Sequence, residues 1–145
     1  MELDKKRICF LVNVDWFYIS HRKALADVFV QNDFIVSVIA GKSKVNKLLN
    51  MTSFEVKSRI PTLLGLLKIF KTIVFEERES VFIVVSPIMI FCFHFLFFFE
   101  NHAYYNFSGF GFIRSLSSKR QSLLFGAMNL MIFRGKRILI VQNKH

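Results

Sequence analysis

Three short stretches carry the residues whose types and spacing could do chemistry. The first is Val14-Asp15-Trp16-Phe17-Tyr18-Ile19-Ser20-His21-Arg22, where Ser20 reads as a helix cap and His21 and Arg22 fall in the first turn that follows. Unpaired N–H groups and a partial positive charge at a helix start, joined by His21 and Arg22, favour an anion site. The competing reading has Trp16, Phe17 and Tyr18 covering a sheet end, with His21 and Arg22 in solvent. The second stretch is Ser86-Pro87. The third is Phe107-Ser108-Gly109-Phe110-Gly111-Phe112, whose two glycines suit close backbone approach to a ligand or an ordinary turn.

Other chemistries lack their residues. The dinucleotide fingerprint G-x-G-x-x-G is missing, which argues against a nicotinamide or flavin enzyme. His94, on a Phe-rich segment, reads as a core histidine; His102 and His145 share no ligand spacing with it, so no metal site is expected. No Ser-His-Asp or Cys-His set assembles. Cys9 and Cys92 read as buried thiols of a reducing compartment, and no cofactor is expected.

The elements that must position these stretches alternate. Arg7 to Asn13 is a near-continuous apolar run, as a central parallel strand should be. A helix is predicted from Ser20 to Asn32 and a strand from Phe34 to Ala40, with a basic helical turn at Lys44 to Leu49 and a short strand at Phe54 to Val56. Pro61 opens an amphipathic helix in which Leu63, Leu66, Leu67, Phe70, Ile73 and Val74 form the apolar face, with Lys68, Lys71 and Glu76 pointing elsewhere. Ala103 to Asn106 reads as a strand, Ser118 to Phe133 as a helix stopped by Gly135, and Arg137 to Gln142 as a last strand.

Val81 to Phe99 is a nineteen-residue run without Lys, Arg, Asp or Glu. One helix of that length just spans a bilayer, which needs roughly 20 apolar residues. Split in two, it becomes a strand at Val81 to Val85, Ser86 as N-cap, Pro87 at the first helical position and a buried helix beyond. Ser before Pro favours the split, because Ser accepts a backbone N–H and Pro has none to lose.

The alternation predicts an α/β, Rossmann-like doubly wound parallel sheet of about six strands, helices on both faces, in a single domain over residues 1–145. Its binding crevice should lie where the strand order reverses, with the Asn13 to Ser20 loop beside Ser86. The bulk numbers bear on partners. A net charge of +10, 19 Phe and 53% hydrophobic residues leave more apolar and basic surface than a chain of 145 residues readily hides. Such a surface fits phosphates or anionic lipid. Its basic residues are scattered and not interleaved with stacking aromatics, which argues against nucleic acid. The basic, then apolar N-terminus is interrupted by Asp15 and is not read as a signal peptide.

Phe10 to Arg22 (FLVNVDWFYISHR), Tyr105 to Phe112 (YNFSGFGF) and Ile138 to Asn143 (ILIVQN) together resemble the N-terminal half of family 4 glycosyltransferases of bacterial capsule and O-antigen synthesis. The resemblance implies one half of a GT-B fold, the half that receives a lipid-linked or polysaccharide acceptor, and metal-independent retaining transfer from a nucleotide sugar. It places Asp15, His21 and Arg22 at the cleft and gives Ser108, Gly109 and Gly111 backbone contacts to phosphate. It also implies a cytoplasmic protein peripheral to the inner face of the cytoplasmic membrane. A donor-binding C-terminal domain is expected beyond residue 145, so that the chain is a truncated product, or half of a split enzyme needing a separate C-terminal chain, and inactive alone. Two other readings stand beside it: a small membrane protein spanning with Val81 to Phe99, and a nonenzymatic binding or assembly module.

Overall fold

The computed structural model describes residues 6–42, 51–57, 60–96, 103–108, 117–120, 122–123, 126 and 138–142. Apolar runs without alternation become strands covered on both sides. β1 (Arg7–Val12) buries every residue after Arg7. It pairs in parallel with β2 (Ile35–Gly41) on one side and with β6 (Val81–Val85) on the other, Ile8 opposite Val81 and Leu11 opposite Val84. β3 (Met51–Phe54) extends the sheet beyond β2, while β7 (Ala103–Ser108) and β8 (Ile138–Gln142) extend it beyond β6. The order is β3-β2-β1-β6-β7-β8, parallel throughout. This is a doubly wound α/β sheet.

Helices cover both faces. α1 (Asp15–His21) and α2 (Lys23–Gln31) follow β1 and pack over Ile8, Phe10, Val12, Val38 and Ala40. α3 (Leu63–Phe75) and α4 (Pro87–Leu96) cover the opposite face, where Ile69, Ile73, Met89, Ile90 and Phe93 meet Cys9, Leu11, Phe82 and Val84. The chain moves one way across the sheet after β1 and the other way after β6, so crossovers of constant hand must place these helices on opposite faces.

The run from Val81 is split. Val81–Val85 is an inner strand, and α4 is a helix of ten residues, about 15 Å long against the roughly 30 Å of a bilayer core. The spanning reading of Val81 to Phe99 is corrected accordingly, and no helix among the described residues is long and apolar enough to cross a membrane.

Three other boundaries move. The first helix starts at Asp15, not after Ser20, and breaks at Arg22. The third starts at Leu63, because Pro61 belongs to a small antiparallel ribbon of β4 (Val56–Lys57) and β5 (Ile60–Pro61), and Thr62 is the cap whose side chain accepts the Gly65 N–H. The face of α3 is also turned. Gly65, Ile69, Thr72 and Ile73 point inward, while Leu63, Leu67 and Phe70, expected in the core, are exposed. The turn at Lys44 to Leu49 lies outside the described residues. So does most of the helix expected from Ser118, whose described residues 118–120, 122–123 and 126 are helical.

Candidate functional site

The strand order reverses between β1 and β6, which places the crevice beyond their carboxyl ends. β1 passes into α1 through only Asn13 and Val14. Val14 offers no side-chain cap, and Asp15 does that work from the first helical position. Its carboxylate is 1% exposed, and Oδ1 accepts the Trp16 N–H at 2.7 Å. A negative charge there is favoured by the helix dipole. The start of α1 is therefore capped by a side chain of its own sequence.

His21 and Arg22 do not sit in a first turn. His21 is in the last turn of α1, roughly 9 Å along the axis from Asp15, and Arg22 links α1 to α2. His21 is exposed, stacks on Phe17 at 4.5 Å between centroids, and has Nδ1 2.8 Å from Ser20 Oγ. Arg22 is buried, with its guanidinium 5.9 Å from the Phe17 ring centroid. Its main chain closes one helix and opens the next, its N–H donating to the Tyr18 carbonyl and its carbonyl accepting from Ala26. Burial pulls its pKa below the ordinary guanidinium value. The expected placement changes for a physical reason: the helix begins six residues earlier than a cap at Ser20 suggests, so His21 falls at its far end and Arg22 at the cap of α2. Of the covering aromatics, Tyr18 is buried edge-on against Phe10, Phe17 is half-buried and Trp16 is exposed.

Ser86 stands beside this loop, between β6 and α4. Its φ of 83° is left-handed, a region non-glycine residues rarely enter. Its carbonyl accepts the Ile90 N–H at 3.0 Å, and its Oγ lies 3.5 Å from the Met89 N, the position of an N-cap. On the next strand Asn106 pairs in register with Val85, whose side chain belongs to the cluster beneath α1 and α2. Asn106 is 4% exposed, and its Oδ1 has no hydrogen-bond partner among the described residues. A buried amide oxygen without a donor is costly, and such groups often mark ligand positions. Asn106 is absent from the candidates read in the sequence, although a polar residue near the carboxyl end of an apolar strand is the signal that points to it. Ser108 ends β7 opposite Gln142 of β8. Gly109 and Gly111 lie outside the described residues.

The fold thus brings Asp15, Ser86, Asn106 and the backbone of Ser108 to one sheet edge, and leaves His21 and Arg22 a helix length away. A carboxylate, a hydroxyl and an amide oxygen are hydrogen-bond acceptors, a set that suits ligand hydroxyls. Burial pushes the thiols of Cys9 and Cys92 up, which keeps them protonated and poor nucleophiles. His94 lies 3.4 Å from the Tyr105 hydroxyl. Among the described residues no group of three His, Cys, Asp or Glu could hold a metal ion.

Fold and crevice together define a Rossmann-like α/β protein with an acceptor-rich switch point. No family model matches the chain, and no curated protein does.

Proposed function

We propose that this chain is the acceptor-side half of a retaining GT-B glycosyltransferase, moving a sugar from a nucleotide sugar to a lipid-linked or polysaccharide acceptor at the inner face of the cytoplasmic membrane. One observation carries the reading. The three stretches that resemble family 4 enzymes meet the sheet at its carboxyl edge, after β1, at the end of β7 and along β8, where a doubly wound fold binds its ligand. The acceptors collected there suit a sugar's hydroxyl groups. In the transfer, the bond from the sugar's anomeric carbon to the nucleoside diphosphate breaks, a bond to the acceptor oxygen forms, and the acceptor proton leaves.

In this reading Asp15, Ser86 and Asn106 orient the acceptor, and the main chain at Ser108, Gly109 and Gly111 approaches a phosphate. His21 and Arg22 act at one remove, fixing Phe17 and the α1–α2 junction. A donor domain, in the same polypeptide or on a separate C-terminal chain, supplies the nucleotide sugar. Anionic lipid supplies the surface on which a lipid-linked acceptor is met.

The test is transfer of labelled sugar into the lipid fraction by membranes that contain this chain with the product of the neighbouring open reading frame, against membranes with either alone. Transfer is expected only with both, and is expected to be lost in Asn106→Leu. Absence of transfer in every combination overturns the proposal.

A further inference from the structure

The outward arc of α3 is apolar. At about 100° per residue, Phe70, Leu63, the half-buried Val74, Leu67, Lys71, Leu64, Phe75 and Lys68 follow one another around the side of the helix turned from the sheet. A solvated helix carries polar residues there. Instead Leu63, Leu64 and Leu67 are 74%, 69% and 58% exposed, and the neighbouring Ile60 is exposed as well. The inward arc is complete without them, formed by Gly65, Ile69, Thr72 and Ile73. Five large apolar residues on one exposed arc are too many to be the scattered surface hydrophobics of an ordinary domain.

The two charges on this arc are both positive and lie at mid-helix. Within Leu63–Phe75 the ionisable residues are Lys68 and Lys71, both exposed, while beside the helix start the exposed Lys57 and Glu55 offset each other. Glu76, Glu77 and Glu79, with Arg78 among them, stand beyond the carboxyl end and leave it net acidic. Leucines flanked by lysines, on a helix lying flat against a domain, have the make-up of an interfacial membrane helix.

We infer that α3 is the membrane-contacting element of this protein, seating Ile60, Leu63, Leu64 and Leu67 in the acyl boundary of an anionic bilayer with Lys68 and Lys71 at the headgroups. The polarity of the helix sets its tilt, amino end into the surface and Glu76 to Glu79 away from it. The inference rests on the membrane location in the proposed function, yet it is read out without any sugar transfer.

The full chain is tested by co-sedimentation with vesicles of phosphatidylglycerol and phosphatidylcholine, against vesicles of phosphatidylcholine alone. Wild type is expected to bind the anionic vesicles at least about ten-fold more tightly. The triple change Leu63→Gln, Leu64→Gln, Leu67→Gln is expected to abolish binding to both, and Lys68→Gln with Lys71→Gln to remove the preference for the anionic vesicles. All five positions are exposed, so circular dichroism should match wild type. A tryptophan at Leu64 (L64W) is expected to shift its emission to the blue with anionic vesicles. Vesicle binding by the glutamine triple variant equal to wild type overturns the inference. So does conversion of a wild-type dimer to monomer by the same changes without loss of vesicle binding, which assigns the face to a second copy. If transfer fails while α3-dependent vesicle binding stands, it is the glycosyltransferase reading that falls.

Discussion

Ser86 holds a conformation that costs roughly 1–2 kcal/mol for a residue with a Cβ, at the point where β6 turns into α4. Its side chain offsets little of that, since the capping contact to Met89 is 3.5 Å long. Ser86→Gly removes the strain and sacrifices a cap that glycine replaces at a cost of a few tenths of a kcal/mol. The variant is expected to be more stable than wild type by about 0.5–1 kcal/mol, measured as a shifted urea midpoint at unchanged slope. A destabilised Ser86→Gly would mean that the hydroxyl contributes more to the fold than its geometry indicates. Asn106 poses the same trade in another form: a buried oxygen with no partner among the described residues is retained where an apolar residue would pack more cheaply. A left-handed Ser86 after β6 and, on the neighbouring β7, a buried acceptor with no partner among the described residues lie at one crevice, and strained residues of this kind cluster at functional sites.

At the scale of elements, what the sequence disclosed depended on whether its signals were one-sided. β1 beyond Arg7 and β6 are unbroken apolar runs, β2 is interrupted only by Ser37, and Ser86-Pro87 punctuates the run that begins at β6; strand, turn and helix followed from those residues. α1 was hidden because Val14 is no cap and Trp16-Phe17-Tyr18 reads as a loop, so Ser20 took the role that Asp15 performs. α3 was found with the wrong face inward. Leucines lie on both of its sides, and periodicity locates an apolar arc without saying which arc meets the sheet; the small Gly65 settles it, because a Cβ there would meet the Glu55 carbonyl oxygen at 2.5 Å. At the start of this helix Thr62 accepts the Gly65 N–H at 3.1 Å. Thr62→Ala is expected to cost about 1 kcal/mol in chemical denaturation, and Thr62→Ser to restore most of it. Asn106 stayed hidden in the sequence because one asparagine gives no sign of whether its amide is paired.

At the scale of the whole molecule, burial of Cys9, Cys92 and Tyr18 links stability to alkaline pH. Each pKa is raised in the folded state, chiefly by burial, with the charge of Glu77 adding at Cys9 and that of Asp27 at Tyr18. Below the thiol's ordinary pKa of about 8.5 both states hold the proton and stability is at its full value. Above it the unfolded chain releases protons that the folded chain retains, so stability falls as pH rises, and the phenol adds to the fall above about pH 10. Unfolding free energy is expected to drop by about 1.4 kcal/mol per pH unit for each fully separated group, and Cys9→Ala to flatten the curve between pH 9 and about 10.5. The strand order has a consequence for synthesis. β1 is flanked by β2, made soon after it, and by β6, made some seventy residues later. While the ribosome works through the stretch between, a growing chain offers the Cys9–Val12 main chain as an open, wholly apolar border, the kind of template on which unfinished chains stick to one another. Slower translation before Val81, or the lack of a chaperone to shield that border, should therefore send more of this protein into inclusion bodies.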